Sequence, residues 1–253
     1  MTRIGILTGL TAEARLLHYV VPGDGIAPVI ARTAADSARA TREAEQLVGL
    51  GAVALVSFGL AGGLAPDVQA GDLIFADRVI LPDGRSIATD SAWLEAALKC
   101  TGIRGRSPRI GPIAGTETLL ATTADKQRLA SASGALAGDM ESAAAALVAE
   151  REGMPFIVVR AVSDALENSL PTVARVPLRP CGSLRFDAVA GALCRHPSEW
   201  PAVARLARDT RAALMSLRTA VQAGALVPPA LAGLPRSAPT QPAPRLAWEA
   251  LAA

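Results

Sequence analysis

GDMESAAAALVAEREGMPFIVVRAVSD, residues 138–164, sets a helix, a stop and a strand in succession, and its reading decides the architecture of the chain. Alanine has the highest helix propensity of any residue, and here it runs from Ala143 to Ala146. Asp139 or Ser142 can cap the first turn, and Gly153-Met154-Pro155 ends the helix. Phe156 to Val162 is then a continuous apolar run rich in valine and isoleucine, broken only by Arg160. Such runs suit the centre of a parallel sheet covered on both faces. The succession predicts an α/β fold: a single-domain three-layer α/β/α arrangement around a central mixed, mostly parallel, twisted sheet.

The same stretch places Glu141 at the start of the helix and Asp164 just past the carboxyl end of the strand, the edge where ligands bind in open α/β sheets. Read singly, each has an ordinary role. A first-turn acid complements the helix dipole, and an Asp after a strand caps the next helix. Read together they can do chemistry. One carboxylate beside a buried ribose accepts hydrogen bonds from two adjacent hydroxyls, while a second, kept protonated by apolar surroundings, gives its proton to a purine ring nitrogen.

The 253 residues with 51% hydrophobic content suit one domain with a sizeable core better than two small ones. A net charge of +2 without a basic block gives no electrostatic case for a nucleic-acid partner. Cys100, Cys181 and Cys194 are odd in number and scattered, which suggests neither a disulfide framework nor a metal site and points to the reducing cytoplasm. No signal-peptide pattern opens the chain, and no apolar run reaches the roughly 18 residues of a membrane span. No spacing calls for a nicotinamide or flavin cofactor.

Upstream, Arg3 to Leu7 reads as a strand that turns through Thr8-Gly9-Leu10-Thr11 into a helix from about Ala12. Gly9 can bring backbone amides towards an anion or a sugar. Glu13, in the first turn, is also where the helix dipole alone would favour an acid. Asp36 to Leu50 reads as a helix with Arg39 and Arg42 solvated. Ala52 to Phe58 is a second buried strand, running into a glycine-rich turn from Gly59 to Pro66. The glycines there permit a tight turn and close approach of the backbone to a ligand. The spacing is not that of a dinucleotide fingerprint. Arg104, Arg106 and Arg109 read as a solvated linker before a strand from Ile110 to Ala114. Gly115 to Leu119 follows, then a helix from Thr123 to Ser131. After Asp164, prolines at 171, 177 and 180 punctuate a lid-like loop over 165–182. Helices over 187–194 and 201–221 close the domain at about residue 223, and a Pro/Ala-rich tail over 224–253 reads as loosely ordered.

DMES, followed by a helix, a strand and RAVSD, resembles the signature of the purine nucleoside phosphorylase and methylthioadenosine/adenosylhomocysteine nucleosidase superfamily. LRPCGSL and RHPSEWPAVARLARD bring the chain closest to its hopanoid-associated phosphorylases, and the resemblance runs from about Arg3 to Ala223. It implies that Asp164, preceded by Ser163, is the general acid, and that Glu141 with the backbone of Met140 holds the ribose hydroxyls. Glu13 then positions or deprotonates an attacking water, and Gly9, Gly59, Ala61 and Gly62 line the site. Thr118 stands where several relatives stack an aromatic on the purine, which leaves stacking to Phe156 or to no ring. The phosphate-using branch often has an arginine near the place of Ser57, and many relatives have a hydroxyl at that of Leu60. Phosphate therefore stays open as a co-substrate, with Arg15, Arg78 or an arginine of a neighbouring subunit as its candidate partners.

The expected reaction is cleavage of the N-glycosidic bond of a 5′-substituted adenosine. By resemblance the substrate is adenosylhopane, giving adenine and ribosylhopane or phosphoribosylhopane. A methylthioadenosine/adenosylhomocysteine nucleosidase, another purine nucleoside phosphorylase, or a nucleoside-binding protein without turnover are the alternatives. A lipid-linked nucleoside, a peripheral membrane contact and a homo-oligomer are the partners implied.

Overall fold

The computed structural model describes residues 2–19, 26–101, 107–183 and 185–229. In chain order the elements are β1 (Thr2–Thr8), α1 (Thr11–Leu16), β2 (Ile26–Arg32), α2 (Ser37–Gly49), β3 (Ala52–Gly63), β4 (Leu73–Ile80), β5 (Ser86–Ala88), α3 (Ser91–Thr101) and β6 (Arg109–Gly115). They continue with α4 (Thr123–Ser133), β7 (Ala137–Asp139), α5 (Ser142–Glu152), β8 (Phe156–Asp164), α6 (Phe186–Arg195) and α7 (Trp200–Gln222). The helix and strand read from residues 138–164 are α5 and β8.

The strands form one mixed sheet in the order β2-β1-β3-β7-β6-β4-β5, with β8 pairing both β3 and β4. Pairs β1–β2, β1–β3, β3–β8, β4–β6 and β6–β7 are parallel, while β3–β7, β4–β5 and β4–β8 are antiparallel. Helices cover both faces. On one, Ala40, Ala44 and Leu47 of α2 and Ala144 to Ala146 of α5 pack on Leu55, Val158 and Val162. On the other, Trp93 and Ala97 of α3 and Ala213, Leu217 and Ala220 of α7 pack on Val56, Phe58, Ile157 and Val159. β8 buries side chains on both faces, which is why it reads as a run without alternation.

The sheet is mixed, as expected, and part of it closes on itself. β3, β8, β4, β6 and β7 close a ring of hydrogen-bonded neighbours, because β3 changes partner near its end. It pairs with β8 from Leu55 to Gly62, while on its other edge the partner changes from β1, up to Ser57, to β7 at Gly62 and Gly63. Gly59 to Gly63 is therefore strand, not the turn that the glycines suggested. Between Ala61 and Gly62 the register shifts, so that Val162 faces Ala61 but Asp164 faces Gly62. Ser163 is the extra residue, a bulge that bends the strand end where the ring closes. A side chain at Gly59 would collide with Arg160 of β8 and Glu13 of α1, and one at Gly63 would crowd Val162 and Ala165, which explains glycine inside a strand.

Two boundaries differ from the sequence reading. The tail does not loosen at Gly224: Ala225 and Leu226 are buried and Trp93 Nε1 donates to Ala225 O at 3.1 Å. Residues 230–253 lie outside the described residues, as do Arg104 and Arg106. Arg109 is not solvated linker but is bound to Asp67, with Asp72 at 3.4 Å.

After β2 the chain reverses through Ala34 and Ala35, both left-handed at φ 57° and 55°. Thr33, just before this reversal, still continues the parallel β1–β2 ladder, its N–H donating to Thr8 O at 2.9 Å. A Cβ is unfavourable in the left-handed conformation. Replacing Ala34 by Gly should stabilise the protein by about 0.5–1 kcal/mol. In a thermal melt this is a rise of about 2 °C, and a fall instead would mean that the two alanines are not strained.

Candidate active site

At the carboxyl ends of β1, β3 and β8, three acidic side chains from different elements are buried within reach of three glycines. Glu13 leaves the first turn of α1 and folds back. Its Oε2 accepts from Thr8 Oγ1 at 2.6 Å and Leu10 N at 2.7 Å, and its Oε1 accepts from Leu60 N of β3 at 2.8 Å. Its ordinary role at the helix N-terminus is kept in the bond from Leu10 N, and the bonds from Thr8 and Leu60 are added to it. Glu141 is the residue before α5, and its Oε1 accepts from Thr33 Oγ1 at 3.0 Å. Asp139, rather than Ser142, caps α5, its Oδ1 accepting from Glu141 N at 3.1 Å and Ser142 N at 2.8 Å.

Arg160 binds this group together. It is fully buried in β8; its Nε lies against Asp139 Oδ2, its Nη2 is 3.3 Å from Glu141 Oε2, and Nη2 donates to Ser57 Oγ at 2.6 Å. A methyl group built on Gly59 would lie 2.7 Å from both Arg160 Nη1 and Glu13 Oε1, and one on Gly9 would lie 2.9 Å from Glu141 Oε1. Gly9 and Gly59 thus leave room for the charged groups, as their assignment to the site required.

Asp164 stands at the other end. Its register partner is Gly62, three residues beyond Gly59 and so roughly 10 Å further along β3. Ser163 Oγ donates to Asp164 Oδ1 at 2.5 Å and to Ala61 O at 3.3 Å. Oδ2 lies against the buried ammonium of Lys126, from α4, in contact but without hydrogen-bond alignment. Met140 is half-buried beside Glu141.

The 165–182 segment crosses this edge and is tied down at both ends. Leu170 N donates to Ala121 O at 2.9 Å and Thr123 N to Ser169 Oγ at 3.1 Å on the Asp164 side. On the Glu13 side, Thr11 N donates to Gly182 O at 3.0 Å, Thr11 Oγ1 to Cys181 O at 2.8 Å, and Arg39 Nη1 to Pro180 O at 2.6 Å. Arg39, expected to be solvated, is one of the ties.

Residues 17–175 match the family described as the Phosphorylase superfamily. The chain belongs to that superfamily. Among curated proteins it is 30% identical over 131 residues to a 5′-methylthioadenosine/S-adenosylhomocysteine nucleosidase of Geobacillus thermodenitrificans, a match covering 44% of this chain and 54% of the relative. The chain thus spans about half the length of that relative. Its fold is that of the Helicobacter pylori nucleosidase of the same name, at a TM-score of 0.63 and 18% identity over 87% of this chain and 98% of that one. It is equally that of the futalosine hydrolase of Helicobacter pylori, at a TM-score of 0.64 and 18% identity over 87% and 97%. At these identities the likeness is one of fold.

Several superfamily assignments move when placed in three dimensions. Thr118 is exposed, and the side chain that turns inward from its loop is Leu120, whose Cδ1 lies 3.9 Å from the Gly62 methyl position. Phe156 is buried at the far end of β8, about 26 Å along the strand from Asp164, and cannot reach a base held there. Arg15 is exposed and Arg78 pairs with Asp77, also exposed, so neither reaches the site. The guanidinium beside Ser57 comes instead from Arg160, one strand over. The lone charge in an apolar run was its signal. Lys126 carried none, since it sits among polar residues of an ordinary capped helix.

Burial governs the two best-placed acids. It pushes the Glu141 carboxyl up to about 7, outweighing the opposing charge of Arg160 and helped by Asp139 and Glu13. It also pushes Asp164 up, against the charge of Lys126 and the hydrogen bond from Ser163. For Glu141 the folded protein holds a proton that the unfolded chain releases above the ordinary value of 4.5. Its contribution to stability is therefore greatest below that value and is lost as pH rises to about 7. Melting temperatures of the wild type and of Glu141→Gln, measured across this range, should converge at low pH. The variant should fall less steeply as pH rises, and parallel curves would remove the raised carboxyl from the account.

Proposed function

We propose that the protein hydrolyses the N-glycosidic bond of a 5′-substituted adenosine, releasing adenine. The observation that carries this reading is the separation of two unlike acid environments along β3. A carboxyl that burial pushes towards its protonated form lies at Gly62, and a cluster of acids around one guanidinium lies at Gly59. A nucleoside laid along the strand meets the acid with its base and the cluster with its sugar. Asp164 then protonates the departing purine at a ring nitrogen, a step that contributes about 10²–10⁴-fold, or roughly 3–5 kcal/mol of barrier. Glu141, as the carboxylate, accepts from the ribose hydroxyls and opposes the positive charge that grows on the sugar ring. The backbone of Met140 lies beside it.

The charge of the cluster favours water over phosphate. Glu13, Asp139 and Glu141 are three acids against Arg160, whose fork is already engaged by two of them and by Ser57. A phosphate dianion would enter a site with no free cation among its described lining residues. Glu13, next to both Gly9 and Gly59, is placed to orient a water and take its proton.

For the substrate we infer adenosylhopane, which rests on the resemblance in LRPCGSL and RHPSEWPAVARLARD. Half-buried Leu170, Val173 and Val176 of the crossing segment offer apolar cover for a group at the 5′ carbon. No helix among the described residues is long and apolar enough to cross a membrane, so a lipid-linked nucleoside would be reached by peripheral contact. The superfamily relatives favour methylthioadenosine or adenosylhomocysteine as the second reading.

Adenine release by the purified protein from adenosylhopane and from methylthioadenosine, with and without phosphate, tests the whole reading. Release independent of phosphate is expected, and ribosyl 1-phosphate products would overturn hydrolysis. Asp164→Asn, isosteric but without a proton to give, should lose at least about 10²-fold. Glu13→Gln should lose a comparable factor whether or not phosphate is present. Activity should rise as pH rises through the Glu141 value of about 7 and fall again as Asp164 loses its proton. A profile in Glu141→Gln that keeps its acidic limb would assign that limb to another group.

A further inference from the structure

Lys126 is fully buried, and its ammonium is the hub of the turn that follows β8. Nζ donates to Ala165 O at 2.7 Å, Asn168 O at 2.9 Å and Asp164 O at 3.3 Å, and touches the Asp164 carboxylate. Three backbone carbonyls would hold an ammonium with no carboxylate at all, so the contact with Oδ2 is additional to what the turn needs. Oδ2 is otherwise a buried oxygen without a hydrogen-bond partner, beside Gly62 on the strand proposed to carry the substrate.

We propose that Lys126 is the positioning residue of the acid: its ammonium fixes the carboxyl of Asp164 and the turn that carries it, and its charge sets how readily that carboxyl parts with its proton. The inference rests on the reading of Asp164 as general acid. The groups that face this carboxyl are Lys126 from α4, Ser163 from its own strand and, as a like charge, Asp209 from α7, itself paired with Arg208. Gly62 of β3 and Leu120 bring none. Burial and Asp209 hold the proton on, while Lys126 and Ser163 draw it off. A general acid works best with a pKa near the working pH, and burial moves Asp164 towards the weaker side. Lys126 is the cation that opposes it.

Two variants separate charge from architecture. Lys126→Gln keeps donors for the carbonyls and removes the charge; Lys126→Met removes both. Each should lower kcat by about 10–100-fold, less than loss of the acid itself. Each should also carry the alkaline limb of the pH profile for adenine release upward by about one pH unit or more. A lower melting temperature with an unmoved limb would reduce Lys126 to a structural residue and overturn the proposal. A second measurement needs neither variant nor turnover. In protein labelled with ¹⁵N at lysine, the Lys126 Nζ resonance should follow an ionisation in the wild type that is missing in Asp164→Asn. If no shared titration is found, the proposal fails. A wild type that releases no adenine from either nucleoside while the titration is shared would sink the assignment of function and leave the pairing standing.

Discussion

The guanidinium of Arg160 is the constraint on which the rest depends. It is a full charge inside a strand whose neighbours are valine, isoleucine and alanine, and such a charge is tolerable only when it is paired with opposite charge. Its partners therefore have to arrive from several directions at once. Asp139 comes from the end of β7, Glu141 from the residue before α5, Ser57 from the middle of β3 and Ser142 from the first turn of α5. Taking away one partner of such a group costs about 3–5 kcal/mol, because the charge left behind has no water to turn to. A lysine would not serve, since a single ammonium cannot reach in three directions as a planar fork does.

The arrangement also bears on the raised carboxyl at this edge. Burial first, and then the neighbouring Asp139 and Glu13, push Glu141 up against the single cation of Arg160, with one threonine hydroxyl as its other partner. Asp139 holds two backbone amides besides, and Glu13 has three donors of its own. A site short of positive charge attracts a positive visitor. On the proposed reading, that deficit would match a sugar ring that becomes cationic as its base leaves.

Much of this was legible in the chain. The alanine run, the glycine-proline stop and the apolar run place α5 and β8 to within two residues, and with them Glu141 and Asp164 at one edge. Three things were not. Glycine read as a turn at Gly59 because local propensity knows nothing of side chains arriving from elsewhere, and here glycine makes room for Arg160 and Glu13 inside a strand. The closed ring of strands follows from a partner change at Gly62 and a bulge at Ser163, neither of which has a local composition signal. Lys126 was invisible for a simpler reason: its partners are backbone carbonyls, and any sequence supplies those.

The segment over the site is fastened by two sets of bonds to two different parts of the molecule. Its first half is joined to Ala121 and Thr123, on the same side as Lys126 and Asp164; its second half is joined through Pro180, Cys181 and Gly182 to Thr11 and Arg39, beside Glu13. The two sets are independent of each other, since they share no residue. On the proposed reading, a flap released only at its second set would turn about the base side and part on the sugar side, leaving the groups around Asp164 in place. The width of that parting, rather than the chemistry, would then decide between a short and a long group at the 5′ carbon.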